Sequence, residues 1–149
     1  MAHVRPARRE DVESLARLRF ELWPDGSRDE HRGELERFFE RGWALPSQVF
    51  VAEAAGGALV GFAEVSVRAH AEGCATEHVG YLEGWYVARS ARRTGVGRAL
   101  VEACESWARG QGCSEMGSDA DPENDVSAAA HEALGFADAG LVRCFYKKL

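Results

Sequence analysis

Residues 91–100 read ARRTGVGRAL. Arg92 and Arg93 stand just before Gly95-Val96-Gly97, and the chain then opens into VGRALVEACESWARGQGC (96–113). There Val96, Leu100, Val101, Cys104, Trp107 and Ala108 recur at helical spacing, and Gly110 and Gly112 close the run. Upstream lies VGYLEGWYVAR (79–89), which reads as a long strand. Strand, glycine-rich turn and helix N-terminus is an arrangement in which N–H groups without intrahelical partners, together with the helix dipole, hold an anion. The glycines let the backbone approach that anion closely. Arg92, Arg93 and Arg98 add charge that no acid within the stretch cancels. The stretch matches neither G-x-x-x-x-G-K-[ST] nor G-x-G-x-x-G. Taken alone, it also reads as a tight turn with solvated arginines.

Around this loop the chain has the size of one ordinary domain, 149 residues with 46% hydrophobic and 28% charged. No apolar run is long enough to span a bilayer, and the start MAHVRPARRE lacks the apolar core of a signal peptide, so a cytoplasmic protein is expected. Cys74, Cys104, Cys113 and Cys144 show neither C-x-x-C pairing nor interleaved histidines, which reads as four reduced thiols, mostly buried, and no zinc site. Eighteen basic against twenty-four acidic residues leave a net charge of −6. That balance disfavours nucleic acid as the main partner and suits a cationic small molecule, or serves solubility alone.

VRPA (4–7) reads as a short strand, followed by a helix whose stripe is Val12, Leu15, Ala16, Leu18 and Leu22. WPDGS (23–27) is a turn, and a second helix is expected from Asp29 to Arg41 with Leu35, Phe38 and Phe39 inward. SQVFVAEA (47–54) and ALVGFAEVSVRA (58–69) read as strands of a hairpin turning at Ala55-Gly56-Gly57. RAHAEGCATEH (68–78) is a polar loop. On strict alternation, Val79, Tyr81, Glu83, Trp85 and Val87 share one face of the next strand, which places a carboxylate among aromatics. Gly84 inside that strand signals a bulge or a close approach of backbone or ligand, and a bulge would break the alternation after Glu83.

RRTGVG (92–97) resembles the Q/R-x-x-G-x-G/A element of the GNAT superfamily of N-acetyltransferases. A second element falls where that family has it: after a strand SEMGSDA (114–120) comes PENDVSAAAHEALGF (122–136), similar to the family's asparagine-containing helix that ends in Leu-Gly-Phe. The resemblance implies one α/β GNAT domain over residues 1–149, with a mixed, centrally splayed sheet of about six to seven strands flanked by about four helices. It implies acetyl-CoA as co-substrate. Arg92, Arg93, Thr94, Gly95, Val96, Gly97 and Arg98 would hold the pyrophosphate, Asn124 and Ser127 the pantetheine arm, and no metal is needed. Backbone N–H groups of Trp85, Tyr86 and Val87 would face the thioester carbonyl.

LWPDG near residue 23, GFAEVSVR (61–68), YLEGWYV (81–87), EMGSDADPEN (115–124), HEALGF (131–136) and FYKK (145–148) together resemble the aminoglycoside 6'-N-acetyltransferases within that superfamily. This narrower likeness implies direct transfer of acetyl to the 6'-amine of a polycationic antibiotic, and a homodimer. Another small amine, a peptide N-terminus, or CoA binding without turnover are the alternatives on the same fold. The acceptor amine must lose a proton, for which Glu83 and Asp119 are the candidates. Glu83 also reads as a strand carboxylate paired to a nearby arginine, and Asp119 as a cap of the turn into DPEN. His131 stands seven residues after Asn124, where the superfamily's tyrosine is usual. It reads either as the acid that protonates the leaving thiolate or as a packed helical histidine. Tyr146 is the second candidate acid, or a strand tyrosine with a structural hydroxyl bond. Trp23 reads as a substrate-facing ring or a core anchor. Glu72 is a further candidate for the acceptor's ammonium groups, whereas His70 and His78 lack the spacing of a metal site. Ala71, where related enzymes carry an aromatic, and ADAGLVR before the last strand, where they carry an acid, depart from the pattern.

Overall fold

Strands rich in Val, Phe and Ala pair in sequence order. β1 (His3–Pro6), β2 (Ser47–Glu53), β3 (Leu59–Arg68) and β4 (Val79–Val87) are antiparallel neighbours, and β5 (Met116–Ser118) joins β4 in parallel. Parallel neighbours require a crossover connection. α3 (Val96–Gly110) supplies it. The computed structural model describes residues 2–45 and 47–149, and the chain divides into two compact units at Ser118/Asp119.

In the first unit, α1 (Val12–Leu22) and α2 (Arg28–Arg41) bury Val12, Leu15, Leu18 and Leu35 in one core with Val49, Val51, Leu59 and Phe62. α2 starts on a reciprocal cap: Ser27 Oγ accepts from the Glu30 N–H at 3.1 Å, while the Glu30 carboxylate accepts from the Ser27 N–H at 3.3 Å. α3 packs where Gly61 and Gly80 leave room. A Cβ on Gly61 would lie 3.1 Å from Leu100, and one on Gly80 2.7 Å from Ala108. β3 is buried along nearly its whole length because helices cover both its faces. The hairpin turn forms as the sequence suggests, with the Ala54 N–H on the Ala58 carbonyl and Gly57 at φ +88°.

β4 does not alternate as strict periodicity predicts. Leu82 opposes Val65 and Gly84 opposes Glu64, so Glu83 is the extra residue of a bulge. Tyr81, Gly84 and Tyr86 oppose Ser66, Glu64 and Phe62 on one face, while Leu82, Trp85 and Val87 oppose Val65, Ala63 and Gly61 on the other. Trp85 and Val87 therefore leave the face that Tyr81 and Glu83 were expected to share with them. Gly84 is needed there because the Trp23 ring lies on it: an added Cβ would stand 2.5 Å from the ring. Trp23 also meets Phe62 edge-on at 6.0 Å.

A buried polar network ties this side together. Arg19 on α1 donates from Nη1 to Glu64 on β3 at 2.8 Å, from Nη2 to Glu34 on α2 at 2.6 Å, and from Nε to His31 Nδ1 at 3.3 Å. Because arginine only donates, His31 Nδ1 accepts, and its Nε2–H donates to the Trp23 carbonyl at 3.1 Å. Burial pushes Glu64 up to about 7, against the pull of Arg19 and with help from the nearby carboxylates Glu34 and Glu83.

The second unit, residues 119–149, contains α4 (Asp125–Ala133) followed by Gly135 at φ +92°. Five strands are present among the described residues where about six to seven were expected. Within the second unit taken by itself, residues 136–149 contain no strand. Its Leu141, Phe145 and Tyr146 are exposed. The strands expected over 79–89 and 114–120 shorten to Val87 and to Met116–Ser118. Cys104 and Cys113 are buried, Cys74 is half-buried and Cys144 exposed, all as free thiols. No helix among the described residues is long and apolar enough to cross a membrane.

Two outcomes follow from this packing. Gly84→Ala displaces the Trp23 ring and lowers stability by about 1–3 kcal/mol in chemical denaturation, the range for overpacking a filled site; a variant as stable as the parent would contradict the contact. Glu64 keeps its proton in the folded state to higher pH than its ordinary 4.5, so the stability it contributes is full below pH 4.5 and lost as pH rises to about 7. The stability of the wild type relative to Glu64→Gln should therefore fall across that window, by at most about 1.4 kcal/mol per pH unit. A relative stability that rises with pH would show Arg19 dominating instead.

Candidate active site

Two half-sites are built on opposite faces of β4. On the α3 side, Trp85 Nε1 donates to the Gly97 carbonyl at 3.1 Å, and a Cβ on Gly97 would lie 3.2 Å from the same ring. The tryptophan thus braces the first turn of α3, next to the loop that leads into it. Arg93 at φ +61° and Gly95 at φ +87° curl the backbone there, and the first intrahelical bond runs from the Ala99 N–H to the Gly95 carbonyl. The N–H groups of Val96, Gly97 and Arg98 have no partner inside the helix. A Cβ on Gly95 would meet nothing within 4 Å, so the cradle is open. Its N–H groups and the arginines at 92, 93 and 98 fit a diphosphate. Thr94 Oγ1 donates to the Ala91 carbonyl, and Arg92 Nε donates to the Val87 carbonyl at 2.8 Å.

The ladder between β4 and β5 ends at Leu82 and Ser118. Beyond it, Glu83 to Val87 continue along β3; the Ala88 N–H donates to the Val60 carbonyl, so by alternation the backbone groups of Tyr86 face Phe62 and those of Trp85 and Val87 point away from β3. Tyr86 turns to the other side, where its hydroxyl donates to Glu21 at 2.6 Å; burial and that carboxylate push its own ionisation up.

On the α1/α2 side the bulge delivers Glu83. Its carboxylate accepts from Ser66 Oγ at 3.0 Å and from Arg68 Nε and Nη2 at 2.8 and 2.6 Å. The arginine partner that the sequence left open is therefore Arg68. Glu83, Glu64 and Glu34 line one cavity of about 370 Å³ together with Arg19 and Ser66, and Trp43 and Leu45 form apolar wall. Three carboxylates against a single guanidinium in the lining make a site for a cation. Trp23 serves as an anchor, held between Gly84, Phe62 and the Arg19 guanidinium 5.2 Å from its ring centroid.

Glu72 lies on the exposed loop beside His70, 3.5 Å away, while His78 contacts the Gln111 carbonyl at 2.8 Å. The two histidines are thus committed to different partners. Ala71 is buried with Val79 and Tyr81, and its Cβ would be 2.7 Å from one on Gly117. The small side chain fits an inward position that an aromatic would overfill. Glu115 pins this loop by accepting from the N–H groups of Ala75 and Thr76, which holds its carboxyl below the usual range.

In the second unit, Asp119 directly follows β5 in the chain. In the turn into α4, Asp121 Oδ1 accepts from the Glu123 N–H at 2.9 Å. Asn124 caps α4 through its oxygen, 3.0 Å from the Ser127 N–H, so the cap does not use its amide nitrogen. His131 Nδ1 lies 2.7 Å from the Ser127 carbonyl, and its ring meets Phe136 edge-on at 5.3 Å, as a packed helical histidine does. Tyr146 is 89% exposed and outside any strand.

Sequence reasoning missed Arg19, Glu34, Glu64, Ser66 and Arg68. The signal was present: Glu64, Ser66 and Arg68 recur every second residue in an otherwise apolar strand, and Arg19 interrupts the buried stripe of α1.

Residues 11–136 match the sequence model of the acetyltransferase (GNAT) family. The aminoglycoside N(6')-acetyltransferase type 1 of Klebsiella aerogenes is 49% identical over 146 residues, which are 98% of this chain and 96% of that protein. Its counterpart from Serratia marcescens is 40% identical over 141 residues, 93% of each chain. Among solved structures, AAC(6')-Iy in complex with the bisubstrate analogue CoA-S-monomethyl-acetylneamine superposes with a TM-score of 0.90 at 33% identity, covering 100% of this chain and 99% of that one. AAC(6')-Ih from Acinetobacter baumannii gives 0.91 at 31% identity, with the same coverage. Given this match over most of its length, and a loop before α3 shaped to cradle a diphosphate, the chain belongs to the acetyltransferase (GNAT) family and is an acetyl-CoA-dependent acetyltransferase.

Proposed function

We propose that this enzyme transfers acetyl to the 6'-amine of aminoglycoside antibiotics and thereby confers resistance. The observation that carries the reading is the cavity in which Glu34, Glu64 and Glu83 converge on the α1/α2 side of the sheet. A polycationic amino sugar supplies the ammonium groups that such a lining favours, and a net charge of −6 steers it inward. The excess of acidic over basic residues also argues against nucleic acid as a partner.

Bound acetyl-CoA supplies the acetyl group as a thioester. Backbone N–H groups of residues 95–98 and the side chains of Arg92, Arg93 and Arg98 hold its pyrophosphate. By kinship, Asn124 and Ser127 serve the pantetheine arm. The N–H groups of Trp85 and Val87, which point away from β3, would donate to the thioester carbonyl oxygen, where negative charge develops during attack, whereas the Tyr86 N–H faces Phe62. The incoming amine arrives as an ammonium, and Glu83 accepts its proton directly or through a water. Asp119 is proposed by kinship as a second carboxylate for the acceptor, and Glu72 as an outer contact for its remaining ammonium groups. Tyr146, or His131 through Nε2, returns a proton to the departing sulfur. Residues 1–149 act as one catalytic domain, in the cytoplasm and, by the same kinship, as a homodimer.

A thiol-release assay with acetyl-CoA tests this acceptor. Kanamycin should turn over, while its analogue with a hydroxyl in place of the 6'-amine should release no thiol above background. Equal rates on both would refute the position of transfer. Turnover confined to polyamines or peptides would refute the acceptor class.

A further inference from the structure

The carboxylate proposed to receive the acceptor's amine already holds a cation. Arg68 closes on both oxygens of Glu83, with Nε 2.8 Å from Oε1 and Nη2 2.6 Å from Oε2. Its guanidinium carbon lies 3.8 Å from the centroid of the Tyr81 ring. Ser66 Oγ holds the same Oε1 at 3.0 Å. These holders differ in how easily they leave. Ser66 is buried within β3, whereas Arg68 ends that strand with its side chain 41% exposed.

The guanidinium that lines the cavity itself behaves differently. Arg19 has a side chain only 7% exposed and spans Glu64, Glu34 and His31. Displacing it would strand the buried Glu64 carboxylate, at high cost. Arg68 can swing into water and keep its stacking on Tyr81, provided another cation takes its place at Glu83. Ser66 continues to hold the carboxylate through the exchange. Charge balance at Glu83 is the same before and after.

We propose that Arg68 is a specificity-determining residue, an internal competitor that occupies at Glu83 the place an acceptor ammonium takes. The inference rests on the reading of Glu83 as the acceptor's carboxylate. A guanidinium fork satisfies both carboxylate oxygens at once. An amine displaces it only by collecting further contacts in the same cavity, as an acceptor with several ammonium groups does. Arg68 thereby sets a threshold against small single amines.

Steady-state kinetics on wild type, Arg68→Ala, Arg68→Lys and Glu83→Gln, with kanamycin and acetyl-CoA varied in turn, tests the assignment. Arg68→Ala should lower the acceptor KM by about two- to fivefold, the equivalent of a partly exposed ion pair, with KM for acetyl-CoA as the control. Arg68→Lys, which keeps the charge and loses the fork, should fall between, and it reports alone if the alanine variant does not fold. Free guanidinium ion at non-denaturing concentration should compete with acceptor in Arg68→Ala more strongly than in wild type, a response that a merely structural role does not give. If Glu83→Gln raises the acceptor KM but neither Arg68 variant lowers it, the competitor role is overturned and the reading of Glu83 stands. A Glu83→Gln variant with the wild-type acceptor KM overturns both.

Discussion

One extra residue in β4 organises the molecule. Had the strand alternated regularly, the ladder partners of β3 would place Glu83 and Trp85 on the same face. The bulge at Glu83 separates them. Trp85 goes to α3, where it braces the carbonyl of Gly97, and Glu83 stays beside Ser66 and Arg68 on the face of α1 and α2. A phosphate-binding loop and an acidic cavity can then be served by neighbouring residues of a single strand. The ladder with β5 ends at Leu82, the residue before the bulge. Bulges commonly re-aim a side chain or end a pairing, and this one does both.

Charge on the acidic side is arranged in two tiers. Arg19 is a structural cation that joins α1, α2 and β3 under the Trp23 ring, and its removal would leave the buried Glu64 without its cation. Arg68 is a half-exposed cation with a resting place on Tyr81. Burying one counter-ion deeply and leaving the other near solvent lets the cavity remain folded without a substrate while still admitting one. Glu64 follows from the same arrangement: it is buried among like charges, so its carboxyl is harder to ionise despite Arg19.

Much of the fold was legible in the residues. The stripe Val96, Leu100, Val101, Cys104 and Ala108 is the buried face of α3, and RRTGVG is the turn before it, because helical period and glycine placement are local properties. The break at Gly84 was legible too, as a possibility. What a sequence does not carry is the register of the neighbouring strand, and the faces of Trp85 and Val87 depend on that register. Arg19, Glu64 and Arg68 escaped notice for a related reason. Local pattern marks them as polar intruders on apolar faces, but their partners lie 45 and 15 positions away in the chain, and no local pattern names those.

The most direct measurement is a crystal structure of the enzyme with CoA and an aminoglycoside bound together. The account predicts the pyrophosphate on the N–H groups of residues 95–98, the 6'-amine within hydrogen-bond distance of Glu83, and Arg68 withdrawn from that carboxylate. An acceptor amine placed away from Glu83, with the Arg68 pair intact, would contradict it.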